Sequence, residues 1–204
     1  MKITLPVKNN SIPYFGLTQF HTHYQDKKIK KQDIFHYVYG VLHHPTYRKK
    51  YELNLKREFP GIQFYKDFHQ WANWGRQLMG WHINYETVEP YDLKQIDLKE
   101  IKQPKPKLKA DKQTGSIILD EQITLKDIPA IAWDYKLGNR SALEWVLDQY
   151  KEKKPRDPTI AEKFHTYKFA DYKEQVIDLL KRVCTVSVET MNIIKQMELV
   201  DIDG

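Results

Sequence analysis

Apolar positions along this 204-residue chain change period several times, and each change marks an element. In "DIFHYVYGVLHHP", Ile34, Tyr37, Val38 and Val41 recur at helical spacing, with Asp33 placed as the cap and Pro45 ending this helix and starting the next. A third helix is predicted over "KDFHQWANWGRQLMGWHINYE" behind an Asp67 cap, with Phe68, Trp71, Ala72, Gly75, Leu78, Met79 and His82 on one stripe. Trp71 lies on that stripe and is expected to be buried; Trp74 and Trp81, a heptad apart and off it, are expected to cover a second element.

Ahead of these helices, "ITLPVKNNSIPYFGLTQFHTHY" has short β-favouring pieces cut by Pro6, Pro13 and Gly16, and reads as strands and turns. From Pro90 to about Pro129 the sequence becomes Lys-rich and alternating. A Lys-Gln-Thr-Gly turn beside "SIILD" predicts a hairpin with Ile117 and Leu119 facing one way, in a segment that also has linker-like composition. "AIAWDYKLGNRSALEWVLDQY" then reads as a short strand, a Gly-Asn turn and a helix, with Ser141 and Glu144 forming a capping box ahead of the stripe Leu143, Val146, Leu147 and Tyr150. After Pro155 and Pro158, "FADYKEQVIDLLKRV" is a fifth helix. "CTVSVETMNIIKQM" is ambiguous, its β-branched run arguing for strand and its second half for helix.

The pattern adds up to an α+β, helix-rich fold with a small, mainly antiparallel sheet; no βαβ alternation demands a parallel one. The length fits a single domain over residues 1–204, with 90–129 as a Lys-rich hairpin or linker segment within it.

Charge changes the picture modestly. The 33 basic residues exceed the 27 acidic ones for a net charge of +6, a mixed surface whose surplus favours a polyanionic partner. A lone cysteine, Cys184, excludes an internal disulfide and a Cys-based metal cluster and fits a reducing compartment, so the cytoplasm is the expected location. No signal-like or membrane-spanning apolar run is visible.

Catalytic signatures are sparse. The chain has no Gly-rich phosphate loop, no Gly-x-Ser-x-Gly elbow and no Cys-x-x-Cys pair. Carboxylate-x-Lys triplets at Asp92–Lys94 and Asp97–Lys99 arise readily by chance in a Lys-rich chain, and a metal-dependent nuclease needs further placed carboxylates. His21 and His23 would share a strand face with His43 and His44 nearby, yet no Cys or clustered carboxylate completes a tetrahedral set, so ordinary polar roles are expected.

Two segments suit a phosphate partner. If Thr46–Phe59 is one helix, Tyr47, Tyr51, Leu55 and Phe59 gather on one side and Lys49, Lys50, Lys56 and Arg57 on the other. That is a basic face with an anchored back, fitting either a phosphate backbone or solvent. Arg48 falls with the aromatics and is expected to be structural. In "LGNRS", Asn139 and Arg140 stand where a Gly-Asn turn enters a helix; backbone donors there suit a phosphate, although a plain N-terminal cap fits equally.

Four ordered blocks, "DIFHYVYGVLHHPTYRKKYELNLKREFP", "GRQLMGWHINYE", "NRSALEWVLDQY" and "VSVET", resemble the C-terminal specificity region of type ISP restriction-modification enzymes, over roughly Phe20 to Met197. Those single-polypeptide bacterial enzymes carry a nuclease, a helicase-like ATPase, an adenine methyltransferase and a target recognition domain. The resemblance implies a module that reads an asymmetric duplex DNA site without catalysis of its own, as an excised or separate C-terminal piece. AdoMet, ATP and Mg would belong to the parent's other domains, and the methyltransferase and helicase-like domains would be its partners. Tyr37, Gly40, Pro45, Tyr47 and Arg48, with Ser141, Glu144 and Trp145, match the family's blocks as scaffold positions. The rival reading is a docking module that packs on a methyltransferase or helicase domain without reading DNA.

Overall fold

The structure, a computed structural model, describes residues 2–3, 14–57, 61–98, 101–152 and 167–200. It is an α+β fold dominated by helices, with a small antiparallel sheet. Where the length fits one domain, the structure has two compact units: Met1–Ile83 with Asn192–Gly204, and Asn84–Met191.

The first unit is built on helices α1 (Tyr14–Tyr24), α2 (Lys31–His43), α3 (Pro45–Lys50), α4 (Glu52–Leu55) and α5 (Phe68–Ile83), with a small ladder of β1 (Lys2–Ile3) against β2 (Ile62–Gln63). The helical stripes of α2 and α5 meet face to face: Ile34, Tyr37 and Val41 are buried with Phe68, Trp71 and Leu78. Gly40 and Gly75 bring these helices into backbone contact, since a Cβ on Gly40 would lie 2.8 Å from the Trp71 carbonyl oxygen. Asp67 caps α5 by accepting from Gln70 N at 2.9 Å. Trp71 stacks on Tyr65 with ring centroids 4.2 Å apart. Trp74 is buried and donates to Gln196 Oε1 at 3.2 Å, covering another element as expected, and Trp81 is partly buried against the same core.

Two expectations are corrected here. Tyr14–Tyr24 is a helix rather than strands and turns; Leu17, Phe20 and Tyr24 recur at helical spacing and face the core, and that burial outweighs the β-favouring aromatics. Asp33 is the third helical residue rather than the cap: Lys30 occupies the cap, and the Asp33 carboxylate accepts from Lys30 N at 3.0 Å.

The second unit holds a four-stranded antiparallel sheet of β3 (Lys94–Asp97), β4 (Pro106–Asp111), β5 (Ser116–Asp120) and β6 (Ile123–Lys126), in the order β3-β6-β5-β4. Asp111 Oδ1 organises the predicted Lys-Gln-Thr-Gly turn by accepting from Gln113 N and Thr114 N at 3.1 and 3.3 Å. Ile117, Leu119 and Leu125 are fully buried in a cluster with Leu143 and Leu147 of α6 (Ala142–Gln149) and Val176 and Leu180 of α7 (Phe169–Glu198). Asp120, 2% exposed at its side chain, takes Lys173 Nζ at 3.0 Å and the backbone N–H of Gln122 and Ile123, so one carboxylate both turns the β5–β6 corner and holds α7. A 3₁₀ turn at Ala130–Trp133 and a short hairpin of β7 (Lys136–Leu137) and β8 (Arg140–Ser141) lead into α6.

Helix α7 resolves the ambiguous "CTVSVET" run as helix. Val176, Ile177, Leu180, Val183 and Cys184 form a buried stripe, and that burial decides against the β preference of the branched residues. Ser187 meets its buried polar requirement within the helix by donating to Val183 O at 2.7 Å. Arg182 donates to Val88 O, and Thr185 donates to Glu89 O at 2.8 Å, fixing the segment that precedes β3. The last turns of α7 belong to the first unit, where Ile193 and Met197 are buried.

Candidate nucleic-acid interface

Strand β4 alternates by construction: Leu108 points into the core at 2% exposure while Lys107 and Lys109 are exposed. Leu108 has φ 42° at a register shift between Pro106 and Lys109, a β-bulge in the left-handed region. Beside this strand, the β7–β8 hairpin turns through Gly138 at φ 72°, a conformation that favours glycine, and presents exposed Asn139 and Arg140. Trp145 braces the hairpin by donating Nε1–H to Leu137 O at 2.7 Å. Ser141 then caps α6 as predicted: its Oγ accepts from Glu144 N at 3.3 Å and the Glu144 carboxylate accepts from Ser141 N at 2.9 Å.

Between β4 and α6 lies an open cleft of about 460 Å³, lined by Lys107, Leu108, Lys109, Arg140, Glu144, Leu147, Asp148 and Lys151 among others. Its two carboxylates are already engaged. Glu144 Oε2 takes Lys112 Nζ at 2.9 Å as well as Ser141, and Asp148 takes Arg140 at 3.2 Å. Burial works to raise the Glu144 pKa, but the hydrogen bonds from Ser141 and Lys112 overcome it and hold the group below its usual range. Four cations against two carboxylates leave a positive surplus over an apolar floor, an arrangement that attracts phosphate. Arg140 is legible in the sequence; Lys107 and Lys109 fall in the Lys-rich segment after Pro90 without being singled out, although the every-second-residue lysines of "PKPKLKAD" are the available signal, and Lys151 is missed.

The other predicted set lies in the first unit and does not share one helix. His44 Nδ1 accepts from Tyr47 N at 3.4 Å and Pro45 starts α3, but α3 stops at Tyr51, whose φ and ψ of −112° and 21° break the run before α4. The single helix expected over Thr46–Phe59 is therefore two short ones, and Phe59 lies outside the described residues. Tyr47 and Tyr51 are buried as expected, whereas Leu55 is 37% exposed because the break rotates it outward. Lys49, Lys50, Lys56 and Arg57 are all exposed. Lys56 pairs with Glu52 at 3.0 Å in solvent, and Lys50 lies 5.8 Å from the Tyr51 ring centroid. Arg48 is exposed as well, a correction to its expected inward, structural place.

His21 and His23 have packing roles. His21 Nε2 bonds to Ile29 O at 2.8 Å and His23 stacks on Phe64 at 4.0 Å, both from a helix rather than a strand. Among the described residues no group of three or more His, Cys, Asp or Glu is placed to hold a metal. Among the same residues no helix is long and apolar enough to cross a membrane.

Against known proteins, the family model of the type ISP C-terminal specificity domain matches residues 4–179. The chain is similar to solved structures, among them these three. One, a cryoEM structure of a DrdV–DNA complex, is 55% identical with a TM-score of 0.84, covering 91% of this chain and 20% of that one. A nuclease-deletion mutant of the type ISP restriction-modification enzyme LlaGI, in complex with a DNA substrate mimic, is 32% identical with a TM-score of 0.67, covering 86% and 17%. The ATP-dependent type ISP restriction-modification enzyme LlaBIII, bound to DNA, is 27% identical with a TM-score of 0.72, covering 94% and 12%. The chain thus spans a fifth or less of the length of each. No curated protein matches it.

Proposed function

The chain belongs to the type ISP C-terminal specificity domain family, and on that premise we propose that it is the duplex-DNA recognition module of a cytoplasmic bacterial restriction-modification enzyme. Its role is to select the site at which other domains methylate and cleave. It carries no catalysis of its own, and AdoMet, ATP and Mg act on those other domains. The observation that carries this reading is the 55% identity, across 91% of the chain, to a protein solved as a DNA complex.

In such a module, phosphate contacts set register and base-edge contacts set sequence. Exposed cations supply the first kind: Lys49, Lys50, Lys56 and Arg57 in one unit, Arg140 in the other. Asn139, exposed at a hairpin tip, has the amide that pairs with an adenine edge.

The test is selection of a randomised duplex pool by the isolated chain at two salt concentrations. Enrichment of one asymmetric sequence, sharper at the higher salt, is expected. Retention of every duplex alike at low salt and of none at high salt would overturn sequence recognition, leaving only charge attraction.

A further inference from the structure

We propose that the cleft between β4 and α6 is a clamp for the phosphate backbone of duplex DNA, with Lys107, Lys109 and Lys151 as its standing contacts and Arg140 as a contact held in reserve by Asp148. The proposal rests on the DNA-recognition reading above and locates a surface for it.

The cleft is built to keep its positive charge available. Lys107, Lys109 and Lys151 line it and form no salt bridge among the described residues, Asp111 acting on Lys109 only at longer range, while Glu144 is occupied by Ser141 and Lys112. Leu108 and Leu147, each 2% exposed, form the floor, so the ammonium groups stand over a low-dielectric wall that strengthens their field. The bulge at Leu108 holds a leucine in the left-handed region, and its two flanking residues are the cleft's lysines. Lys105 is exposed just ahead of the same strand, so with Lys107 and Lys109 the positive charge runs as a track rather than a spot. A track matches a polymeric polyanion. Arg140 and Asp148 pair at 3.2 Å with side chains 46% and 30% exposed. A pair that open to water is weak, so an arriving phosphate can take Arg140 from Asp148.

The test measures the affinity of the full chain for a selected duplex and a scrambled one across a salt series. Three proteins are compared: wild type, the double variant Lys107→Gln with Lys109→Gln, and Asp148→Asn. All three changes are on side chains at the surface, and equal thermal melts check the fold. The lysine variant is expected to weaken binding to both duplexes and to flatten the plot of log affinity against log salt by about 0.9 for each phosphate no longer neutralised. Asp148→Asn, which frees Arg140, is expected to tighten binding to both and steepen the plot. Duplex binding by the wild type with unchanged slopes in both variants would overturn the clamp and leave the DNA reading standing. A loss confined to the selected duplex would make these residues base readers and also overturn the clamp. No duplex binding by the wild type at any salt would overturn both.

Discussion

Gly40 and Gly75 face each other across the seam between α2 and α5 so closely that a Cβ on Gly75 would fall inside the carbonyl group of His36 and 2.7 Å from Gly40 N. The obstructing atoms are backbone, so relief requires separating the helices. Gly75→Ala is expected to destabilise the protein by about 1–3 kcal/mol, the cost of overpacking, even though alanine is the better helix former. Gly80 is the control, on the same helix but with nothing within 4 Å of the place a methyl group would take. Gly80→Ala is expected to stabilise by about 0.5–1 kcal/mol. Denaturant unfolding of both variants measures the opposite signs.

Tyr37 is the polar centre of the same unit. Its hydroxyl donates to Gln63 O at 2.6 Å, accepts from Tyr65 N at 2.8 Å and lies 3.2 Å from the Tyr24 hydroxyl, all around a fully buried ring. Tyr37→Phe keeps the ring, which stacks on Phe68, but strands a buried N–H and a carbonyl. A loss of about 1–3 kcal/mol is expected from thermal or denaturant unfolding. Tyr24→Phe, on a half-buried ring that also donates to Tyr65 O, is expected to cost less, and the pair to be non-additive in a double-mutant cycle.

These two cases mark what local sequence rules reach. The Ser141–Glu144 box, the Asp67 cap and the β4–β5 turn are legible because each depends on residues within a few positions of one another. Burial of Trp71 follows from periodicity alone. Helix α1 is not legible in the same way, because its aromatics favour strand locally and only packing of Phe20 against Tyr37, Phe64 and Phe68 selects helix. Extending one helical period through Tyr51 places Leu55 inward, where the break turns it out, whereas Arg48, ahead of the break, is exposed on α3 beside buried Tyr47. The β4–α6 cleft unites Lys107 with Arg140 and Lys151 from separate elements, a proximity no local pattern encodes.

Acid is expected to weaken the first unit. Burial, helped by the neighbouring His43, pushes His82 down to about 4, and burial also lowers His43. An unfolded histidine takes up its proton near pH 6.5. Because the folded-state value is depressed, the stabilisation is present above about pH 6.5 and is lost as pH falls from there toward about 4, at no more than about 1.4 kcal/mol per pH unit for one histidine. His82→Gln, which retains a partner for the Tyr39 hydroxyl now 2.7 Å from Nδ1, is expected to flatten that decline in unfolding measured from neutral pH downward. An unchanged slope would remove His82 from the account.

Incubation of the chain with duplex DNA, Mg, ATP and AdoMet is expected to leave the DNA uncut and unmethylated. The carboxylates of Asp92 and Asp97 belong to no metal-holding group among the described residues. Metal-assisted hydrolysis needs such convergence. Cutting that disappears on replacing one carboxylate would overturn this expectation.

Arg48 separates scaffold from surface in the basic segment of the first unit. Tyr47, beside it, is 1% exposed and packs on Tyr51 with ring centroids 4.8 Å apart, whereas Arg48 is exposed on α3 with Lys49 and Lys50. Truncating the tyrosine opens a cavity in the core, so Tyr47→Ala is expected to cost about 3–5 kcal/mol. Arg48→Ala removes an exposed side chain whose charge also reaches His43, and is expected to stay within about 0.5 kcal/mol of wild type. If Arg48 and its neighbours meet DNA, the effect appears instead in the salt dependence of duplex binding, shallower by about 0.9 for each phosphate left without its cation. Paired melting and binding measurements on Arg48→Ala and on Lys49→Ala with Lys56→Ala therefore give stability and phosphate contact separately. A large drop in melting temperature for Arg48→Ala would return the residue to the scaffold.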